Sequence, residues 1–241
     1  MWNYRRNGKS MLSSILAALL LCGCAGPPCS VQGSGVRATE TRDVAAFRSI
    51  DLRGFEQARV TIGDKTEVIV EADDNIVPLI LTEVNHDTLR VFNKESYSSQ
   101  LGVKLNITTP ALQAVSVAGS GDVQVLKLQE KSFTVNIAGS GNAKAEGFAE
   151  NVQAITSGSG NVDLSAVAAK KGSVVITGSG SVKVNVADAL SARIIGSGDI
   201  RYKGNPRIEQ QIIGSGRVGA YGVRALAGWQ GILEESSEPS P

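Results

Sequence analysis

Histidine occurs once in this chain, at His86, and all three cysteines fall within the first 29 residues. Aromatic residues make up only 5% of the 241. No apolar run reaches the roughly 20 residues that a membrane-spanning helix needs. Each scarcity narrows the function. With one histidine, no Ser-His-Asp constellation can form without it, and no GxSxG elbow accompanies it. His86 sits beside Asp87 in VNHDTL, read as a helix-to-strand turn, where solvated turn residues explain the pair better than a catalytic base does. Charge of one sign is also lacking. The 24 basic residues less Arg5, Arg6 and Lys9 of the leader leave 21, against 23 acidic. A net charge near zero gives no long-range attraction for nucleic acid or an anionic membrane.

The N-terminus carries a targeting pattern and stands outside the fold. Arg5, Arg6 and Lys9 precede the short apolar run Met11 to Leu21, and LCGCAG follows. This resembles a bacterial lipoprotein signal. The resemblance implies removal of residues 1–23, a diacylglycerol on Cys24, and, with Ala25 rather than Asp next, an outer-membrane anchor. Cys22 leaves with the signal. Cys29 then stands alone in a Pro/Gly leader, without partners for a disulfide, a metal or nucleophilic chemistry. Residues 24–41 read as a lipidated tether.

What the chain has in abundance is glycine, and it is periodic. The triplet Gly-Ser-Gly recurs with its first glycine at Gly119, Gly139, Gly158, Gly178, Gly196 and Gly214, at intervals of 20, 19, 20, 18 and 18 residues. Two residues before each stand Val117, Ile137, Thr156, Ile176, Ile194 and Ile212. After each come Val123, Ala143, Val162, Val182, Ile200 and Val218. Polar and apolar residues alternate on the far side, as in strands with one face inward. Such a period predicts a solenoid in which each coil buries what its neighbour leaves open. The predicted corners are Gly119 with Gly121, Gly139 with Gly141, Gly158 with Gly160, Gly178 with Gly180, Gly196 with Gly198, and Gly214 with Gly216. There glycine reaches positive φ without a Cβ penalty. The corner serines are expected to hydrogen-bond to backbone or to each other. The coils are expected to wind right-handed, as parallel crossovers do.

Thr156 breaks the inward column, which predicts a bulge at the third coil. Gln210 marks loosening near the C-terminal end. Residues 44–70 read as short strands, followed by a short helix in NIVPLILTEVN capped by Asp73 or Asp74, with Pro78 in its first turn. Strands TLRVFN and VKLNITTP come next. The body is one domain, residues 42–225. In residues 226–241, Leu226, Trp229 and Ile232, together with Tyr221, are expected to cover the last coil before a polar tail.

The order FRSIDLRG, VTIGDKTEVIVEADDNIVPLI, PALQAVSVAGSGDV and then repeated GSG-[DN]-V resembles the head GIN domain family, described as putative auto-transporter adhesins. The likeness spans about residues 40–220. It implies an all-β, right-handed parallel β-helix of 18–20 residues per coil in the cell envelope, and it defines no catalytic or binding residue to transfer.

The carboxylates offer little chemistry. Glu71, Asp73 and Asp74 cluster, but they suit a helix cap better than calcium. Asp122 and Asp199 follow corners one and five. Four stacking steps of about 4.8 Å separate them, too far for a glycosidase pair. The nonapeptide calcium repeat needs an Asp in every short repeat, and only two of these six have one. No cofactor or metal site is expected. The sequence therefore predicts a non-catalytic, lipid-anchored envelope protein whose surface binds polysaccharide or an envelope protein. A self-associating scaffold (a homo-oligomer) is the second reading, and a carbohydrate-active enzyme the third.

Overall fold

The computed structural model describes residues 30–54 and 56–221. Ten shorter strands come first: β1 (Val31–Gln32), β2 (Arg37–Arg42), β3 (Ser49–Gly54), β4 (Gln57–Ile62), β5 (Glu67–Asp73), β6 (Ile80–Asn85), β7 (Thr88–Asn93), β8 (Tyr97–Ser98), β9 (Lys104–Thr109) and β10 (Ala114–Gly119). Then come four long ones, β11 (Asp122–Gly139), β12 (Asn142–Gly158), β13 (Asn161–Gly178) and β14 (Ser181–Gly196). The shorter β15 (Asp199–Lys203), β16 (Arg207–Gly214) and β17 (Arg217–Ala220) follow. The long strands stack in parallel, rung on rung, as a β-solenoid.

Each long strand contributes to two sheets. Its leading half continues the front sheet, ordered β2-β5-β9-β4, then β11 to β14, β15 and β17. Its trailing half continues the back sheet, ordered β6-β7-β3-β10, then β11 to β14 and β16. The inward columns of both sheets meet in one core. On the back sheet, Leu52, Val117, Ile137, Thr156, Ile176 and Ile194 lie in register and are buried.

The corners pack more tightly than positive φ alone requires. At Gly178, φ is +124°, and a Cβ there would lie 2.4 Å from the Gly158 carbonyl oxygen. Gly180 has no positive φ. It is held to glycine by contact, since a Cβ would lie 2.4 Å from the Gly160 oxygen and 2.8 Å from Thr156 Cγ2. The same pair of reasons repeats at the other corners. Between coils the bonds are backbone bonds: the Ser140 and Gly141 N–H groups both donate to the Gly119 oxygen, at 2.9 and 3.1 Å. The corner serine hydroxyls expected to bond form no hydrogen bond among the described residues and face solvent.

Three other expectations are corrected. Thr156 does not shift its coil. It stays in register between Ile137 and Ile176, with its γ-methyl packed inward and Ile155 turned out. The irregularities lie instead on the opposite bend, between Lys144 and Glu146 and between Leu164 and Ala168. The short helix is absent. Val77–Leu79 makes a single 3-10 turn, and Ile80–Asn85 is strand β6. Arg42 explains the turn, because its Nη2 donates to the Val77 and Ile80 carbonyls at 2.8 and 3.2 Å. Residues 31–41, read as part of the tether, hold β1 and all but the last residue of β2. Strand β1 pairs with β8, and β2 pairs antiparallel with β5.

The first half also contains coils that the repeat did not announce. Strand β3 stacks on β10 and β4 on β11, so Gly54 underlies Gly119 as one more corner. Strands β7 and β9 form a coil below that.

Gly178→Ala and Gly180→Ala should each destabilise the protein by about 1–3 kcal/mol, the first through strain and contact, the second through contact alone. Ser179→Ala, between them, should stay within about 0.5 kcal/mol of the native protein. Equal denaturation midpoints for all three would contradict the corner geometry.

Candidate functional site

The outward columns of the front sheet are polar from β9 through β15. One column runs Lys104, Gln57, Asp122, Asn142, Asn161, Ser181, Asp199 and Arg217. The next runs Asn106, Arg59, Gln124, Lys144, Asp163, Lys183 and Arg201. Together they line a shallow groove of about 890 Å³ that extends from Lys104 to Lys183. Four cations line it, Arg59, Lys104, Lys144 and Lys183, against the two carboxylates Asp122 and Asp163. No aromatic ring does.

Part of this surface is held in order before any ligand arrives. Asp122 Oδ1 accepts hydrogen bonds from the Asn142 backbone N–H at 3.2 Å and from Asn142 Nδ2 at 2.8 Å. Asn142 Oδ1 in turn accepts from Asn161 Nδ2 at 2.9 Å. The Asp163 carboxyl is held below the usual range. Its partial burial pushes the other way, but the Ser165 hydroxyl and N–H and the charges of Lys183 and Lys144 together prevail.

The back sheet differs. Its outer column is polar at first, through Arg90, Asp51, Ser116 and Asn136, and then reads Ile155, Val175, Arg193 and Gln211; beside the latter stand Thr177, Ile195 and Ile213. Ile213 is 52% exposed.

The residues singled out in the sequence do not converge. His86 and Asp87 form a tight hairpin turn between β6 and β7, both at positive φ and both exposed. Asp73 is buried. The Ser99 hydroxyl and the N–H groups of Gly35 and Leu101 hold its carboxyl below the usual range, against the opposing pull of burial, and so pin the N-terminal segment to the body. Glu71 pairs with Arg37, and Asp74 accepts from the Ser34 hydroxyl. Asp122 is bonded to Asn142, while Asp199 pairs with Arg217 at 3.5 Å, four coils away from Asp122. Among the described residues no group of three His, Cys, Asp or Glu side chains is placed to hold a metal ion. Tyr221 continues the pairing of β17 through its N–H to the Tyr202 oxygen, at 2.9 Å. Cys24, Leu226, Trp229 and Ile232 lie outside the described residues.

With this repeat in place, the comparison with known sequences is decisive. The chain belongs to the family described as "putative auto-transporter adhesin, head GIN domain". That family's sequence model matches residues 46–206, from just ahead of β3 to just past β15. A solved structure of a putative adhesin from Bacteroides fragilis is 26% identical, with a TM-score of 0.63, and covers 80% of this chain and 100% of its own. A solved structure of a putative lipid binding protein from Parabacteroides distasonis shares the fold at 22% identity and a TM-score of 0.56, over 80% of this chain and 100% of its own. No curated protein matches. The family and these two structural neighbours are described as adhesins or a lipid binding protein, not as enzymes. The family description points to the cell envelope or surface, and no described helix is long and apolar enough to cross a membrane.

One buried acid escaped the sequence reading. Glu56 stands where later corners have their second glycine, and it is fully buried. Burial pushes its carboxyl above the usual range, and the Asn93 and Tyr97 side chains oppose that shift. The Tyr97 hydroxyl is pushed up by its own burial and by Glu56. The folded chain therefore keeps a proton on Glu56 at pH values where the unfolded chain has lost it. Stability should fall as pH rises from the ordinary value of 4.5 through the raised folded value, and level off above it. Glu56→Gln should remove that slope and raise the unfolding midpoint at neutral pH. An unchanged pH profile in thermal melts would contradict the assignment.

Proposed function

We propose that this head GIN protein is a non-catalytic adhesin or binding module, held on the cell envelope by a lipid on Cys24 and presenting the front sheet as its contact surface. The reading rests on one observation. The front sheet offers two in-register polar columns, partly ordered by their own hydrogen bonds, across a long groove lined by four cations and no aromatic ring. Surfaces of this kind bind by breadth, where many weak contacts add. The lipoprotein-like signal supports an outer-membrane anchor, and the family description supports adhesion. A self-associating scaffold is the second reading. It is favoured by the apolar Ile195 and Ile213 on the back sheet and by Ile212, exposed at the C-terminal end of the solenoid. A carbohydrate-active enzyme finds no support in the carboxylate positions.

One experiment tests anchor and surface together. Cells expressing the native chain should incorporate labelled lipid into it and adhere to envelope material from the same bacterium. Cys24→Ser should abolish the label and release the protein into the soluble fraction. Asn142→Trp, on the front sheet, should keep the label and lose adhesion. Gln153→Trp, on the back sheet, should keep both. Membrane retention of Cys24→Ser would overturn the anchor. Equal loss of adhesion in the two tryptophan variants would overturn the front sheet as the contact surface.

A further inference from the structure

The order of charges along the front sheet carries more than the word adhesin. Within the groove, along Arg59, Gln124, Lys144, Asp163 and Lys183, cations occupy alternate rungs; Arg201, on the rung after Lys183, stands beyond the groove. Among the described residues no carboxylate lies within ion-pair distance of any of the three cations. Parallel rungs are spaced by about 4.8 Å, so the cations repeat at about twice that distance. One rung is close to the advance of one pyranose residue along an extended glycan, and two rungs are close to one disaccharide.

We infer that the front sheet binds an acidic polysaccharide with one acid group per disaccharide, its chain lying along the solenoid axis across the rungs. Arg59, Lys144 and Lys183 meet the acid groups of alternate sugars. Gln124 and the neighbouring column of Asn142 and Asn161 meet the hydroxyls. This deepens the proposed contact surface and rests on it.

Asp163 is what makes the inference specific. An acidic polymer charged on every residue would place one anion against its carboxylate, between Lys144 and Lys183. A polymer charged on alternate residues places a neutral sugar there, whose hydroxyls can donate to it. The aspartate thus discriminates by repulsion while the lysines attract. The amide ladder held by Asp122 is already ordered, which lowers the entropy lost on binding. With no aromatic ring in the groove, affinity must come from charge and hydrogen bonds, and it should weaken with salt.

The test uses the full-length protein and three defined polymers. These are hyaluronate, with one carboxylate per disaccharide, polygalacturonate, with one per sugar, and neutral dextran. Calorimetric titration should show binding of hyaluronate that weakens with salt, and no binding of dextran. The double variant Lys144→Gln/Lys183→Gln should bind hyaluronate at least about tenfold more weakly. Lys171→Gln, exposed and outside this column, should leave binding unchanged. Asp163→Asn should raise affinity for polygalacturonate more than for hyaluronate. Polygalacturonate bound by the native protein as tightly as hyaluronate would overturn the alternate-rung assignment. Absence of binding to either acidic polymer, with adhesion still lost in Asn142→Trp cells, would overturn the acidic ligand and leave the contact surface standing.

Discussion

The structure hangs on a backbone contact at the corners. At each one, at least one N–H of the Ser-Gly pair donates to the carbonyl of the first glycine one coil below, and at Ser159 and Gly160 both donate to Gly139, at 3.0 and 3.1 Å. That approach leaves no volume for a Cβ at either glycine. At Gly160 it would meet the Gly141 oxygen at 2.4 Å and Ile137 Cγ2 at 2.6 Å. A hydrogen-bonded corner satisfies backbone groups that an ordinary loop would leave to water. It also fixes the phase of the chain once per coil. The bends on the opposite side are free to vary, which is where coil lengths and register shift.

Phase is what the surface depends on. A slip of one residue would exchange every inward side chain for an outward one. With the corners locked, Val123, Ala143, Val162 and Val182 stay in the core, and Gln124, Lys144, Asp163 and Lys183 stay outside in one line. The polar front sheet is thus a direct consequence of the glycine ladder. Position in the repeat decides which side chains become neighbours, so residues some 20 apart in sequence, such as Asp122 and Asn142, act as adjacent groups.

The solenoid, its coil length and its inward columns were legible in the sequence because they repeat, and repetition separates signal from local propensity. What was not legible was carried by single long-range contacts. NIVPLILTEVN has the apolar content of a helix, yet Arg42 from β2 captures the Val77 and Ile80 carbonyls and the rest pairs with β7. Residues 31–41 resemble a tether until Asp73 is seen to receive Gly35, Ser99 and Leu101. The coil at Gly54 could have been found, since Ile50, Leu52, Ala58 and Val60 are spaced about Gly54 as Val115, Val117, Val123 and Val125 are about Gly119. Glu56 in place of the second glycine concealed it. The cation pattern of the front face was visible residue by residue. It gained meaning only when the register placed Arg59 two rungs from Lys144, and Lys144 two rungs from Lys183.

The claim that corners, and not only strands, hold the coils together is most directly tested by native-state hydrogen exchange. The amides of Ser140, Gly141, Ser159 and Gly160 should exchange as slowly as those of Val135 and Ala154 in the adjacent strands, opening only when whole coils unfold. Exchange of these corner amides at the rates of solvent-exposed loops, with the strand amides still protected, would contradict the account.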